Sequence, residues 1–264
     1  MHLLRISLAG TLLTAACAIA DEPRTVMAPV KLWNGKDLAG LTPWIKETGG
    51  DDTRRVFRVT EDLLHVTGEG FGYLASEHAY RDYRAVLEFK WGKRTDGGKY
   101  VRNSGLLVNA VTPHGGTGTW PPCIEVQLAQ GCCGDLITIG GKNALRNPVA
   151  SEITSDIAIG PDKRPRWSVG GDKKVFTKQQ LWWNRHDPTF EELLDTRGKD
   201  DVESPLGEWT RVEVEARDDT LTVFVNGHKV NHAYHVRPAA GKVLLQCEGF
   251  ELWVRTWELQ PLAP

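Results

Sequence analysis

Apolar and polar residues alternate singly along most of this chain. That is the period of a strand with one wet face; an amphipathic helix repeats every three to four residues instead. The clearest run is Tyr83, Ala85, Leu87, Phe89 and Trp91, interleaved with Arg84, Val86, Glu88 and Lys90. Shorter runs of the same kind predict strands at Val56–Val59, Leu63–Val66, Gly72–Ala75 and Asn103–Asn109, with an edge strand and turn over Lys31–Leu38. Late in the chain, Val212, Val214 and Ala216 lead into a turn at Arg217-Asp218-Asp219, and Leu221, Val223 and Val225 return from it. Asn226-Gly227 then supplies a tight hairpin turn, and Phe250–Leu259 reads as the closing strand. Residues 141–207 carry prolines, glycines and charges with little period, and only Thr189–Leu194 predicts a helical turn or two. Unstructured insertions of that length are usually functional or disordered. Many short strands, repeated turn signals and no internal repeat of about 20–50 residues predict an all-β sandwich with long irregular loops, not a propeller or solenoid.

Two strands of this pattern carry candidate chemistry. Ile124, Val126 and Leu128 alternate with Glu125, Gln127 and Ala129; Val243, Leu245 and Cys247 alternate with Leu244, Gln246 and Glu248. Each strand therefore offers one carboxyl and one amide two residues apart on the face away from its apolar set. Such a face is commonly just solvated. The recurrence of the design in two distant strands points instead to a shared polar patch able to grip a sugar, if both lie in one sheet. Loop residues 93–102 lead to Asn103-Ser104-Gly105, and the glycine-rich loop over 113–122 brings His114 and Trp120 toward the Glu125 strand. Trp182-Trp183-Asn184-Arg185-His186-Asp187 stands inside the long insertion. Adjacent tryptophans point different ways, so one of the two at most serves as a platform for a ligand.

The first twenty residues change the picture of the chain's fate. His2 and Arg5 precede an apolar run over Ile6–Ala16, and Ala18-Ile19-Ala20 before Asp21 fits an A-x-A cleavage site. Residues 1–20 are expected to be a signal peptide, 21–30 a mobile leader and 31–262 one β domain. The expected location is periplasmic or extracellular, with lipid attachment at Cys17 as the rival processing route. No later apolar run has the length of a membrane span. With 32 basic and 34 acidic residues the chain lacks the electrostatic footprint of a nucleic-acid or membrane-surface binder. Ten tryptophans suit both a large core and stacking platforms for sugars. Cys123, Cys132, Cys133 and Cys247 allow three disulfide pairings, among which sequence does not choose. They form no C-x-x-C pair and have no matched histidines, which disfavours zinc. Oligomeric state is left open.

Taken in order, Leu32-Trp33-Asn34-Gly35-Lys36-Asp37-Leu38, Asn103-Ser104-Gly105, Ile124-Glu125-Val126-Gln127, Gly207-Glu208-Trp209, Val225-Asn226-Gly227, Leu245-Gln246-Cys247-Glu248-Gly249 and Glu258-Leu259-Gln260-Pro261-Leu262 resemble the 3-keto-disaccharide hydrolase family. The resemblance runs from about Lys31 to Leu262. It implies a concanavalin A-like jelly-roll β-sandwich with a concave sheet, and activity on 3-keto-glycosides. Cys132-Cys133 departs from the small residues such a family is expected to have there.

The chemistry of such a substrate assigns the candidates. A ketone at C3 acidifies the C2 hydrogen; a base removes it, the enolate expels the C1 substituent, and water adds to the product. Glu125 and Glu248 are the candidate base and acid, in either order. Gln127, Gln246 and Asn103 can donate amide hydrogens to keto and hydroxyl oxygens. Asp135 and His114 are further candidates for contact with substrate, and Trp120 and Trp183 for the border of the groove. No organic cofactor is expected, and a divalent metal is left open. Ordinary retaining hydrolysis is disfavoured, because Gln127 stands two residues beyond Glu125, where glucanases of this fold class place a second acid. The alternative is a glycan-binding module without catalysis.

Overall fold

The computed structural model describes residues 22–111, 118–143 and 146–263. Among these there is no helix, and the strands gather into two large sheets facing each other. The smaller sheet has seven strands, in the spatial order Gln180–Leu181, Leu136–Ile139, Cys123–Gln127, Gly105–Ala110, Lys242–Glu248, Phe71–Ser76 and Leu41–Ile45. The larger has eleven. Its middle is built by Thr210–Arg217, Tyr83–Trp91 and Leu252–Gln260, all paired antiparallel.

Alternation explains how the sheets close on one another. Leu106, Val108, Ile124, Val126, Val243 and Leu245 of the smaller sheet share one buried cluster with Leu87, Phe89, Val212, Val214, Leu252 and Val254 of the larger. Their in-between neighbours turn outward, as the two-residue period demands. The Asn226-Gly227 hairpin turn has positive φ at both residues, 48° and 80°, the conformation this dipeptide favours. The fold is the all-β sandwich that the pattern predicts, of the concanavalin A-like jelly-roll class.

Residues 141–207 are more regular than their composition suggests. They contain an eight-residue strand, Glu152–Ile159, which pairs with Asp172–Phe176, Pro165–Trp167 and His228–Arg237 and extends the larger sheet. The apolar signal is interrupted because Ser155, fully buried between Ile153 and Ile157, satisfies its hydroxyl on the His232 carbonyl, 2.7 Å away. The expected helical turns at Thr189–Leu194 do not form; this stretch is irregular chain between two turns, with Leu193 bridged to Tyr100. One of these turns is closed by the Phe190 N–H on the Asp187 carbonyl, 3.1 Å away. Within the 21–30 stretch, Arg24 and Thr25 pair with Tyr80 and Arg81, and Val26 is buried in the core. Cys123, Cys132, Cys133 and Cys247 are all free and buried.

Candidate active site

The outer face of the seven-stranded sheet carries the two strands singled out by their alternation. Cys123–Gln127 and Lys242–Glu248 flank the Gly105–Ala110 strand on its two sides. Ile124, Val126, Val243 and Leu245 enter the core, so Glu125, Gln127, Gln246 and Glu248 project from the other face. The missing side chain of Gly105 lets them meet. A Cβ there would stand 2.5 Å from both Gln246 Oε1 and Glu125 Oε1, so the carboxyl and the amide converge over a bare patch of backbone. Ser104 fixes this loop-to-strand junction by donating its hydroxyl to the Gln246 carbonyl, 3.0 Å away.

The floor is nearly dry: Glu125 is 5% exposed and Gln246 is fully buried. Burial pushes the Glu125 carboxyl well above the usual carboxylate range, and the Glu248 charge adds to the rise. The neighbouring Gln246 amide offsets a small part of it. Glu248 is pushed up to about 7 by burial. Two carboxyls with unlike environments thus share one site, which is how a protonated acid and an ionisable base coexist at neutral pH. Both polar atoms of the Gln246 side chain, and Oδ1 of Asn103, are buried without a hydrogen-bond partner of normal geometry. Such orphaned groups are costly, and they leave polar atoms at the floor available to a bound sugar.

An aromatic cluster borders this floor. Trp44 stacks on Tyr73 with centroids 5.3 Å apart, and Trp120 leans on Tyr73 at 6.5 Å. These three surround Leu107 and Leu244 on the same outer face. Trp120 therefore lies on the predicted side of the sheet. Tyr73 escapes a sequence reading because its strand looks like an ordinary core segment, and Trp44 because its strand, Leu41–Ile45, is not among those the pattern predicts.

The other nominated residues divide. Gln127 commits its Oε1 to the backbone N–H groups of Leu128 and Ala129, at 3.0 and 3.2 Å, which leaves its amide NH2 for other partners. Asp135 is fully buried and accepts from the Trp183 backbone N–H and from Gln180 Nε2, each at 2.6 Å. Through these two bonds it anchors the insertion to the sheet. Burial raises its carboxyl, with those two bonds opposing the rise. Trp183 lies in the core with its indole N–H on the Gly131 carbonyl at 3.0 Å, so it offers no platform. Its neighbour Trp182 does meet a cation: the Arg164 guanidinium lies 4.1 Å from its ring centre. The same guanidinium lies 3.1 Å from His186 Nε2 and donates to Glu192 Oε1 at 3.3 Å. Tyr100 adjoins this group; its phenol is pushed up by burial first, then by the Glu192 carboxylate, with Glu248 adding less. The Trp182–Asp187 patch singled out in the sequence is thereby part of a polar flank near Glu248, to which Arg164 and Glu192 contribute without any local motif. His114 lies outside the described residues. Among the described residues no three of His, Cys, Asp or Glu gather closely enough to hold a metal ion.

Comparison with known proteins agrees with this architecture. Residues 28–260 match the family model of the 3-keto-alpha-glucoside-1,2-lyase-like domain, nearly the whole chain. The chain belongs to this lyase-like family. Among solved structures, a proposed glycosyl hydrolase from Parabacteroides distasonis ATCC 8503 superposes on the lyase-like chain with a TM-score of 0.52 at 15% identity, covering 89% of this chain and 95% of that one. A second proposed glycosyl hydrolase from the same organism gives a TM-score of 0.48 at 16% identity, with coverage of 89% and 99%. The carbohydrate-binding module CBM66 from Bacillus subtilis gives 0.45 at 8% identity, covering 83% and 94%. At these identities the first superposition speaks for the fold alone. No curated protein matches the lyase-like sequence. Family membership makes the domain carbohydrate-related.

Proposed function

We propose that this protein cleaves glycosides oxidised to a ketone at C3, by removing the C2 proton, eliminating the C1 substituent and hydrating the product. The observation that carries the reading is the pair of carboxyls on one sheet face, Glu125 held well above the carboxylate range and Glu248 raised to about 7. A base with a pKa near the working pH is well matched to proton abstraction. Glu248 takes that role, and Glu125, kept neutral, donates its proton to the departing C1 oxygen. Negative charge grows on the C3 oxygen as the C2 proton leaves, before the C1 substituent departs. The side-chain NH2 of Gln246, buried and without a partner, is the available donor to meet it. Trp44, Tyr73 and Trp120 supply apolar surface for a sugar ring.

The test is incubation with 3-keto-trehalose or 3-keto-sucrose beside the unoxidised sugars. Only the keto forms should be cleaved, and deuterium placed at C2 should be lost to solvent. Full activity with retention of that label would refute the elimination and return the reaction to displacement at C1. Saturable binding without turnover would identify a glycan-binding module instead.

A further inference from the structure

A cleft of about 530 Å³ opens elsewhere on the molecule, and it shares no residue with the Glu125–Glu248 site. Lys90, Lys93, Leu206 and Trp253 line it, with Arg102 and Glu251 in its walls. Its volume suits one or two sugar rings, since small-ligand sites run from roughly 300 to 1,000 Å³.

The charges inside it do not cancel evenly. Glu251 is spent within the protein: it bonds His65 Nε2 at 2.7 Å and accepts from the Lys93 and Arg94 backbone N–H groups at 2.8 and 3.0 Å. Arg102 is spent as well, on Asp195 at 2.8 Å and on the Gly92 carbonyl at 2.9 Å. Lys90 and Lys93 are left without an acidic partner among the described residues. The Lys90 ammonium instead lies 4.9 Å from the centre of the Trp209 ring.

Trp253 is held in place from behind. Its ring lies parallel to His65, 3.8 Å away at an interplanar angle of 2°. His65 is itself fixed at both nitrogens, by Glu251 and by Arg58 Nε at 3.2 Å. A ring so braced loses little freedom when a ligand covers it, and such preorganisation favours binding. We infer that this cleft is a second sugar site, taking an acidic sugar of the uronate class with its ring against Trp253 and its carboxylate on Lys90 and Lys93. Charge complementarity selects the carboxylated sugar: an ion pair with an ammonium, in which both donor and acceptor are charged, is available to a carboxylate and not to a neutral hydroxyl.

Calorimetric titration of the intact protein with trigalacturonate, maltotriose and inorganic sulfate tests the inference without any reference to turnover. Trigalacturonate should bind, maltotriose should bind at least tenfold more weakly, and sulfate should not displace the sugar. The double substitution Lys90→Gln with Lys93→Gln should weaken trigalacturonate binding at least tenfold, as should Trp253→Ala. Glu125→Gln should leave it unchanged. Should Trp253→Ala fail to fold, the lysine pair on the surface still decides the matter. Absence of binding, indifference to the lysine substitutions, displacement by sulfate, or loss of binding in Glu125→Gln would each overturn the second site.

Discussion

Glu125 and Glu248 differ chiefly in how dry they are, and that difference sets their expected behaviour. If Glu248 is the base, kcat/KM on a 3-keto-glycoside should climb about tenfold per pH unit below pH 7 and level off above it. Glu248→Gln should abolish that limb of the profile together with turnover. Glu125→Gln keeps the shape of the acid but holds its hydrogens too tightly to serve as a proton donor. Turnover should fall by at least about a hundredfold while ligand affinity, followed by tryptophan fluorescence, changes much less. An equal loss of both would mean that Glu125 only shapes the site. These two residues, with Gln127 and Gln246, were legible because a strand's two-residue period places side chains without knowledge of the rest of the fold. Their protonation was not legible, since burial is a property of what surrounds a residue. Asp135 and Trp183 show the converse: residue types suited to sugar binding were recruited to fasten a loop.

At the scale of strands, two glycines in the same sheet separate folding from function. An added Cβ at Gly105 would meet only the tips of the Gln246 and Glu125 side chains, at 2.5 Å. At Gly72 it would meet the Trp44 carbonyl, at 2.2 Å. Gly105→Ala should therefore fold with a small loss of melting temperature yet lose most turnover, as its two neighbours are pushed apart. Gly72→Ala must displace backbone in the pair between Phe71–Ser76 and Leu41–Ile45, and should lower the melting temperature sharply. Comparable melting temperatures for the two variants would contradict this reading. The strand Glu152–Ile159 was hidden for a related reason: its inward row contains Ser155, whose acceptability depends on a carbonyl in a strand far along the chain. Hydrophobic period reports what water would exclude and is silent about polar atoms satisfied from a distance. Trp182 and His186 stand out as a patch in the sequence, but their partners Arg164 and Glu192 are invisible on the same ground, because the group is assembled by pairings within the insertion.

The molecule as a whole carries buried acid that makes its stability depend on pH. Away from the carboxyl pair, Glu203 is pushed up to about 8 by burial, with Asp201 adding to the rise. Its Oε1 accepts from the Gly131 N–H at 3.0 Å, while Oε2 is buried and unpartnered. The folded state keeps a proton that the unfolded chain releases above pH 4.5, so the stability present below that value is lost progressively as pH rises to about 8. Glu203→Gln removes this titration and should flatten the fall in melting temperature between pH 5 and 8. It should not flatten it fully, because the Asp135 carboxyl is raised as well. Identical slopes for the two proteins would show that Glu203 does not titrate across this range. The four free cysteines have a different kind of consequence. Cys123 and Cys247 sit in strands of the active-site sheet, Cys132 and Cys133 beneath the insertion, and burial raises every one of these thiols. Among the described residues, reagents that need a thiolate should find no cysteine to modify while the protein is closed. The native sulfurs thus form a built-in clock for breathing motions: the rate at which each is alkylated under native conditions reads how often its part of the sandwich opens, with no label introduced.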